Sequence, residues 1–148
     1  MPYAANPIQR EKPMRSFEEI RDKKILLIDD DETIRDSLKM FFSGEGIHID
    51  TAETAEEGIH ALEKQSYDII VTDYKLPGMD GLTFLRHICD LCPDAFKILM
   101  TAYKQELPAA VAELGVDECM QKPFSAKSIK DSLARCLEKG ISKAPPSR

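Results

Sequence analysis

The chain has 148 residues, 43% of them hydrophobic and 31% charged, which is the balance of one ordinary globular domain and excludes a disordered protein. The formal net charge is −6, and residues 1–22, with four bases and four acids, contribute none of it, so the acidic excess lies in 23–140 and argues against direct nucleic-acid binding, which needs a basic face. No apolar run approaches the ~20 residues of a membrane span, and the opening MPYAANPIQREKP lacks the apolar centre of a secretory signal, so a cytoplasmic protein with no membrane partner is expected.

Residues 1–22, with Pro2, Pro7 and Pro13 among mixed charges, read as a flexible N-terminal arm with a short helical lead-in at Phe17–Ile20. Lys23–Asp29 follows, apolar from Ile25 to Ile28 and closing on acids, the pattern of a buried parallel strand. Thr33–Ser43 carries Ile34, Leu38, Phe41 and Phe42 at helical spacing, and Ile47–Thr51 reads as a short strand. Thr54-Ala-Glu-Glu57 is a capping box that opens a helix to Gln65. Tyr67–Thr72 predicts a third strand, Leu82–Leu91 a third helix and Phe96–Thr101 a fourth strand. A fourth helix is expected from about Gln105, with Pro108 in its first turn, where a missing N–H does little harm. Glu118–Gln121 completes the strands, and Ser125–Glu138 is a last helix capped by Ser125 and ended by Gly140. Residues 141–148 read as a C-terminal tail.

Five βα units in succession imply one domain over 23–140, an α/β fold with a doubly wound, five-stranded parallel sheet. The first expectation is the flavodoxin-like order 2-1-3-4-5, a (βα)5 arrangement whose crevice lies outside the carboxyl ends of strands 1 and 3. Strand 1 ends in Asp29-Asp30-Asp31-Glu32 and strand 3 in Asp73. Neighbouring strands would bring Asp29, Asp30 and Asp73 into one small site, where three carboxylates repel unless a cation joins them. Mg²⁺ suits such a site, because it takes one or two carboxylates, keeps waters and leaves room for a phosphate oxygen. Thr101 and Lys122 end strands 4 and 5 on the same edge. A lysine there holds phosphate as a point charge, and Asp73 is placed to act as a nucleophile.

Four segments together carry a resemblance: Ile25-Leu-Leu-Ile-Asp-Asp-Asp31, Asp73-Tyr-Lys-Leu-Pro-Gly-Met-Asp-Gly-Leu82, Met100-Thr-Ala102 and Lys122-Pro-Phe124. In order and spacing they resemble the response-regulator receiver domain of two-component signalling, over about residues 23–140. The resemblance implies Asp73 as phosphoacceptor and Mg²⁺ on Asp30, Asp73 and the backbone carbonyl of Lys75, with Asp29 acting mainly through a metal-bound water. It implies that Thr101 bonds the phosphoryl oxygen and moves with it, that Lys122 pairs with the phosphate, and that the Lys122–Pro123 bond is cis. Pro77, Gly78 and Gly81 would shape the loop after strand 3, and Lys75 and Tyr103 would flank the site. The implied partners are a histidine kinase or histidine phosphotransfer protein as donor and a downstream protein as listener; a homodimer stays open. Catalysis would be confined to self-phosphoryl transfer and autodephosphorylation, so no enzyme in the ordinary sense is expected.

Two departures stand out against that resemblance. Cys119 occupies the position, three residues before the lysine, where the family usually has Tyr or Phe. The stretch from Thr101 to Lys122 is one residue shorter than is usual, with the gap before Gly115. Other residues read as ordinary structure: Asp31 as the cap of the first helix, Asp80 as a helix starter, His48, His60 and His87 as surface or helix residues. Cys89 and Cys92 have CxxC spacing but no second pair, and read as a helix end stopped by Pro93. Two rival functions remain. Asp29-Asp-Asp31-Glu-Thr33 fits the DxDxT motif of haloacid-dehalogenase-type phosphatases, with Asp29 as nucleophile and Asp31 as acid/base, but leaves Asp73 and its PGMDG loop without a role. The other is a receiver-fold interaction module that works without phosphorylation, which Cys119 keeps open.

Overall fold

The alternation of apolar runs and helical stripes resolves into one open parallel sheet. The computed structural model describes residues 20–143; the arm and lead-in up to residue 19 and the tail from residue 144 lie outside the described residues. Strands β1 (Ile25–Ile28), β2 (Ile49–Ala52), β3 (Ile69–Asp73), β4 (Phe96–Thr101) and β5 (Glu118–Gln121) pair in the order β2-β1-β3-β4-β5, every pair parallel. Ile25 lies opposite both Ile49 and Ile69, so β1 is flanked in register on each side. The expected doubly wound sheet is therefore the observed one.

Helices α1 (Glu32–Gly44) and α4 (Ala126–Lys143) cover one face, and α2 (Ala55–Lys64) and α3 (Gly81–Leu91) the other. The period of two along the central strands assigns the layers. Ile25, Leu27, Ile69, Val71, Ile98 and Met100 pack with Leu38 and Phe42 of α1 and Ile129 and Leu133 of α4. Leu26, Ile28, Ile70 and Leu99 pack with Leu62 of α2 and Phe84, Leu85 and Ile88 of α3. Strands apolar on both faces are what a sheet clothed in helices requires.

Helix starts follow the caps written in the sequence. Asp31 Oδ1 accepts from the N–H of Thr33 at 2.8 Å and of Ile34 at 3.4 Å. Thr54 Oγ1 accepts from Glu57 N at 3.0 Å, and the Glu57 carboxylate reaches back to Glu53 N at 2.8 Å rather than to the N–H of the cap itself. Ser125 Oγ accepts from Ser128 N at 3.1 Å at the start of α4.

Three expectations change. The fourth helix does not form: Lys104–Glu106 and Ala109–Leu114 are two short 3-10 turns separated by Pro108, whose backbone is extended (ψ 150°). Pro108 lacks the N–H that would continue the first turn, and the six residues after it are too few for a stable α-helix. The last helix runs on to Lys143, past both Glu138 and Gly140, because a glycine weakens a helix by only about 1 kcal/mol unless it turns left-handed. Finally Ile20, read as part of the arm, is fully buried against Leu27, Phe42 and Ile47 in the α1–α4 layer, and Arg21 Nε donates to the carbonyl of Glu45 at 3.1 Å.

Candidate functional site

The carboxyl ends of β1, β3 and β4 and the residue after β5 meet at one edge of the sheet. Asp29 follows β1 directly and is fully buried; Asp73 closes β3 and is buried; Asp30 is exposed at the rim. A carboxylate oxygen from each of the three lies within 4.8 Å of the others. Lys122 Nζ donates to Asp29 Oδ2 and to Asp73 Oδ2, both at 2.9 Å, and so bridges the two acids across 49 and 93 residues of chain. Asp29 Oδ1 accepts from Asp31 N at 2.9 Å, and Asp73 Oδ1 accepts a longer bond, 3.3 Å, from Lys75 N.

Thr101 closes β4, buried, and its Oγ1 accepts from Tyr103 N at 3.3 Å. A cleft of about 340 Å³ has Asp73, Lys75, Thr101, Tyr103 and Lys122 in its lining. A larger and more apolar groove, about 810 Å³, opens on the other side of Lys122 and Tyr103, between Ile34, Leu38 and Phe41 of α1 and Pro123 and Phe124. Of the charged groups, Asp73 and Lys122 line the smaller cleft.

Electrostatics follow from burial and pairing. Burial pushes the Asp73 carboxyl above its ordinary pKa, and the Asp29 charge beside it adds to that; Lys122 pulls the other way without restoring the ordinary value. For Lys122, burial works against the ammonium, but its hydrogen bonds to Asp73 and Asp29 and their charges outweigh this and hold its pKa above the usual lysine range. Three carboxylates against one ammonium leave a charge of −2. Asp30 is reachable from solvent and Asp73 keeps one weakly engaged oxygen, so the donor set fits one hard divalent cation.

The β3–α3 loop is shaped by close approach. Gly78 has φ +91°, and a Cβ at Gly81 would lie 2.1 Å from the Tyr74 carbonyl oxygen, so no side chain fits there. The Lys122–Pro123 peptide is cis.

The acids 29, 30 and 73 and Lys122 thus come together, and Thr101 lines the cleft that Asp73 and Lys122 share. Asp31 does not join them, since its carboxylate caps α1, and both oxygens of Asp29 are engaged. That is the wrong arrangement for Asp29 as nucleophile and Asp31 as acid/base. Asp80 caps α3 through Leu82 N at 3.0 Å, and His48 bonds Asp50 at 2.9 Å, on β2. Cys119 is half-buried against the α2–α3 layer. Arg35 escaped the sequence reading: its Nη1 donates to the carbonyl of Asp29 at 2.8 Å. The one signal was a basic residue in the first turn of a helix that opens on acids, where the dipole disfavours it.

Comparison with known proteins gives the same picture. The family model described as the response regulator receiver domain matches residues 25–134. The transcriptional regulatory protein AfsQ1 of Streptomyces coelicolor is 34% identical over 119 residues, which span 78% of this chain and 52% of that protein. The chain spans about half or less of the curated relatives it matches. Among solved structures, a CheY-like receiver domain protein from Methanospirillum hungatei JF-1 superposes with a TM-score of 0.76 at 31% identity, covering 82% of this chain and 98% of that one. The response regulator TrrA from Thermotoga maritima, solved in complex with Mg²⁺-BeF, gives 0.68 at 34% identity, with 76% and 97% covered.

Proposed function

Because the chain belongs to the response regulator receiver domain family, we propose that it accepts a phosphoryl group on Asp73, with Mg²⁺, and relays that event as a change in partner binding. The observation that carries this reading is the Lys122 ammonium bridging the carboxylates of Asp29 and Asp73 at 2.9 Å, with Asp30 beside them. Asp30, Asp73 and the Lys75 carbonyl are the direct ligands proposed for Mg²⁺, with Asp29 reaching it through water; when bound, the ion supplies positive charge against the phosphoryl oxygens. An Asp73 oxygen attacks phosphorus, the bond from phosphorus to the donor's imidazole nitrogen breaks, and an acyl phosphate remains on Asp73. Lys122 exchanges part of its carboxylate pairing for the phosphoryl oxygens. Thr101 releases Tyr103 N and turns its hydroxyl to the new group, which displaces the chain around residues 101–103.

The donor is a histidine kinase or a histidine phosphotransfer protein, and the listener is a downstream protein that binds one state better than the other, since only differential affinity makes a switch. No direct nucleic-acid or membrane contact belongs to this reading, which places the domain in the cytoplasm; among the described residues no helix is long and apolar enough to cross a membrane. Chemistry is confined to the domain's own phosphorylation and hydrolysis.

Intact-mass analysis after incubation with acetyl phosphate tests the proposal. One phosphoryl adduct that requires Mg²⁺, maps to Asp73 and disappears in Asp73→Asn is expected. An adduct on Asp29, or no adduct together with no response to beryllofluoride, would overturn it. One observation favours a second reading: Cys119 offers a small thiol at the β5 position from which an aromatic side chain would report the switch. Equal partner affinity before and after phosphorylation would make this a phosphorylation-independent binding module.

A further inference from the structure

Asp29 is held at every polar atom. Its N–H donates to the Ala52 carbonyl at 3.1 Å, Oδ1 accepts from Asp31 N and Oδ2 from Lys122. Its carbonyl is the first beyond the β1 ladder, whose last partners are Ile28 with Ala52 and with Thr72, so it needs a donor from outside the sheet. Arg35 supplies that donor at 2.8 Å, from a backbone fixed in the first hydrogen-bonded turn of α1, where Arg35 N donates to the Asp31 carbonyl at 3.1 Å.

The Asp29 carbonyl and the Asp30 N–H share one rigid peptide plane. Holding the carbonyl therefore sets the direction in which Asp30 leaves the strand. Asp30 needs such support more than its neighbours do, because among the described residues no hydrogen bond holds its carboxylate, although that carboxylate completes the three-acid group. A guanidinium beside an acidic pocket also has the opposite effect through its field, since a fixed positive charge repels a dication. Tether and field thus predict opposite signs when Arg35 is removed.

We propose that Arg35 is a positioning residue for the metal centre: by clamping the Asp29–Asp30 peptide it keeps the Asp30 carboxylate beside that of Asp73 and so raises the affinity for Mg²⁺. This rests on the Mg²⁺ reading of the site given above. The test is isothermal titration of Mg²⁺ into the wild-type chain and its Arg35→Met, Arg35→Lys and Asp30→Asn variants, with metal-free thermal melts alongside. Support for a metal ligand from outside its coordination shell is commonly worth a factor of ten or more in affinity. Arg35→Met is therefore expected to weaken Mg²⁺ binding about tenfold. Arg35→Lys, which keeps a donor on a long stem, should recover most of the loss. A merely structural role would lower the melting temperature of the metal-free variants without this split in affinity. If Arg35→Met does not fold, Arg35→Gln, too short to hold the carbonyl, takes its place with the same expectation. Unchanged or tighter binding in Arg35→Met, or in Arg35→Gln where it stands in, overturns the clamp. Wild-type protein that binds no Mg²⁺, or Asp30→Asn binding as tightly as wild type, would instead sink the metal reading and the clamp with it.

Discussion

Asp73, the proposed phosphoacceptor, is kept at a disadvantage as an anion. Its carboxylate sits where burial opposes charge, Asp29 repels it, and Lys122 offsets only part of the cost, so its folded-state pKa lies above the ordinary value near 3.8. A raised carboxyl pKa means that the folded state binds more protons than the unfolded state in the window between 3.8 and the raised value. Stability conferred by the neutral acid is therefore lost as pH rises through that window. Asn mimics the neutral acid and does not titrate. In metal-free buffer, Asp73→Asn and wild type should have similar stabilities at the acidic end of the window. The variant should then gain as pH rises and stay ahead at neutral pH, each unit of raised pKa being worth ~1.4 kcal/mol. Urea melts across that range read the difference directly, and a variant that is less stable at neutral pH would show that Lys122 outweighs burial. Lys122 has the complementary sign: its pKa is raised, so its contribution is complete below about 10.5 and fades above it, outside the acidic window. Asp29, Asp30, Asp73 and Lys122 were legible in the sequence because each stands at a strand end and the topology fixes which ends meet. Arg35 was not, since its bond goes to a main-chain carbonyl, which leaves no trace in side-chain chemistry.

The loop after β3 shows how an element depends on one missing side chain. Gly81 opens α3 with its Cα against the Tyr74 main chain, and an added Cβ would meet the Tyr74 carbonyl oxygen at 2.1 Å and the Tyr74 ring at 2.7 Å. Backbone on one side and α3 on the other leave little room to give way. Gly81→Ala should cost about 1–3 kcal/mol in denaturant melts. Gly44, in the last turn of α1, has nothing within 4 Å of its Cβ position, and Gly44→Ala should instead gain about 0.4–1 kcal/mol. A similar response at both positions would remove the steric argument. The strands and α1 to α3 could be read from periodicity and caps, because burial on two faces and a capping side chain both leave marks in local sequence. The connection from β4 to β5 could not. Residues 104–114 carry the same i, i+3 apolar spacing that an α-helix or a 3-10 turn would show, and what separates the two is how Pro108 divides the stretch. Ile20 lay hidden for another reason: a single apolar residue in a polar stretch has no period, and only its burial in the core layer that also holds Leu27, Phe42 and Ile47 explains it.

At the scale of the whole molecule, the sheet order makes the site and the site works against the fold. Winding helices onto both faces leaves the strand ends as the place where polar groups converge, and here they converge with a charge of −2 in a partly buried cleft. The metal-free protein carries that repulsion across β1 and β3, two of the strands at the centre of the sheet. A cation bound only by the folded state removes it and adds binding free energy to stability. At a Mg²⁺ concentration a hundredfold above the dissociation constant the gain is about 2.7 kcal/mol, which for a chain of this size is roughly 5–10 °C in midpoint. Thermal melts with increasing MgCl₂ should therefore rise by that amount, return on chelation, and show no comparable rise with NaCl at matched ionic strength. Asp30→Asn should abolish the shift while leaving the core packing alone, since Asp30 is exposed and its carboxylate has no hydrogen bond among the described residues. Bound Mg²⁺ also reverses the pH argument for Asp73, because it favours the ionised carboxylate: in saturating Mg²⁺ the advantage of Asp73→Asn at neutral pH should vanish or change sign. A Mg²⁺ response that survives Asp30→Asn would place the ion elsewhere, and one that leaves the Asp73→Asn advantage intact would mean that Asp73 does not share it.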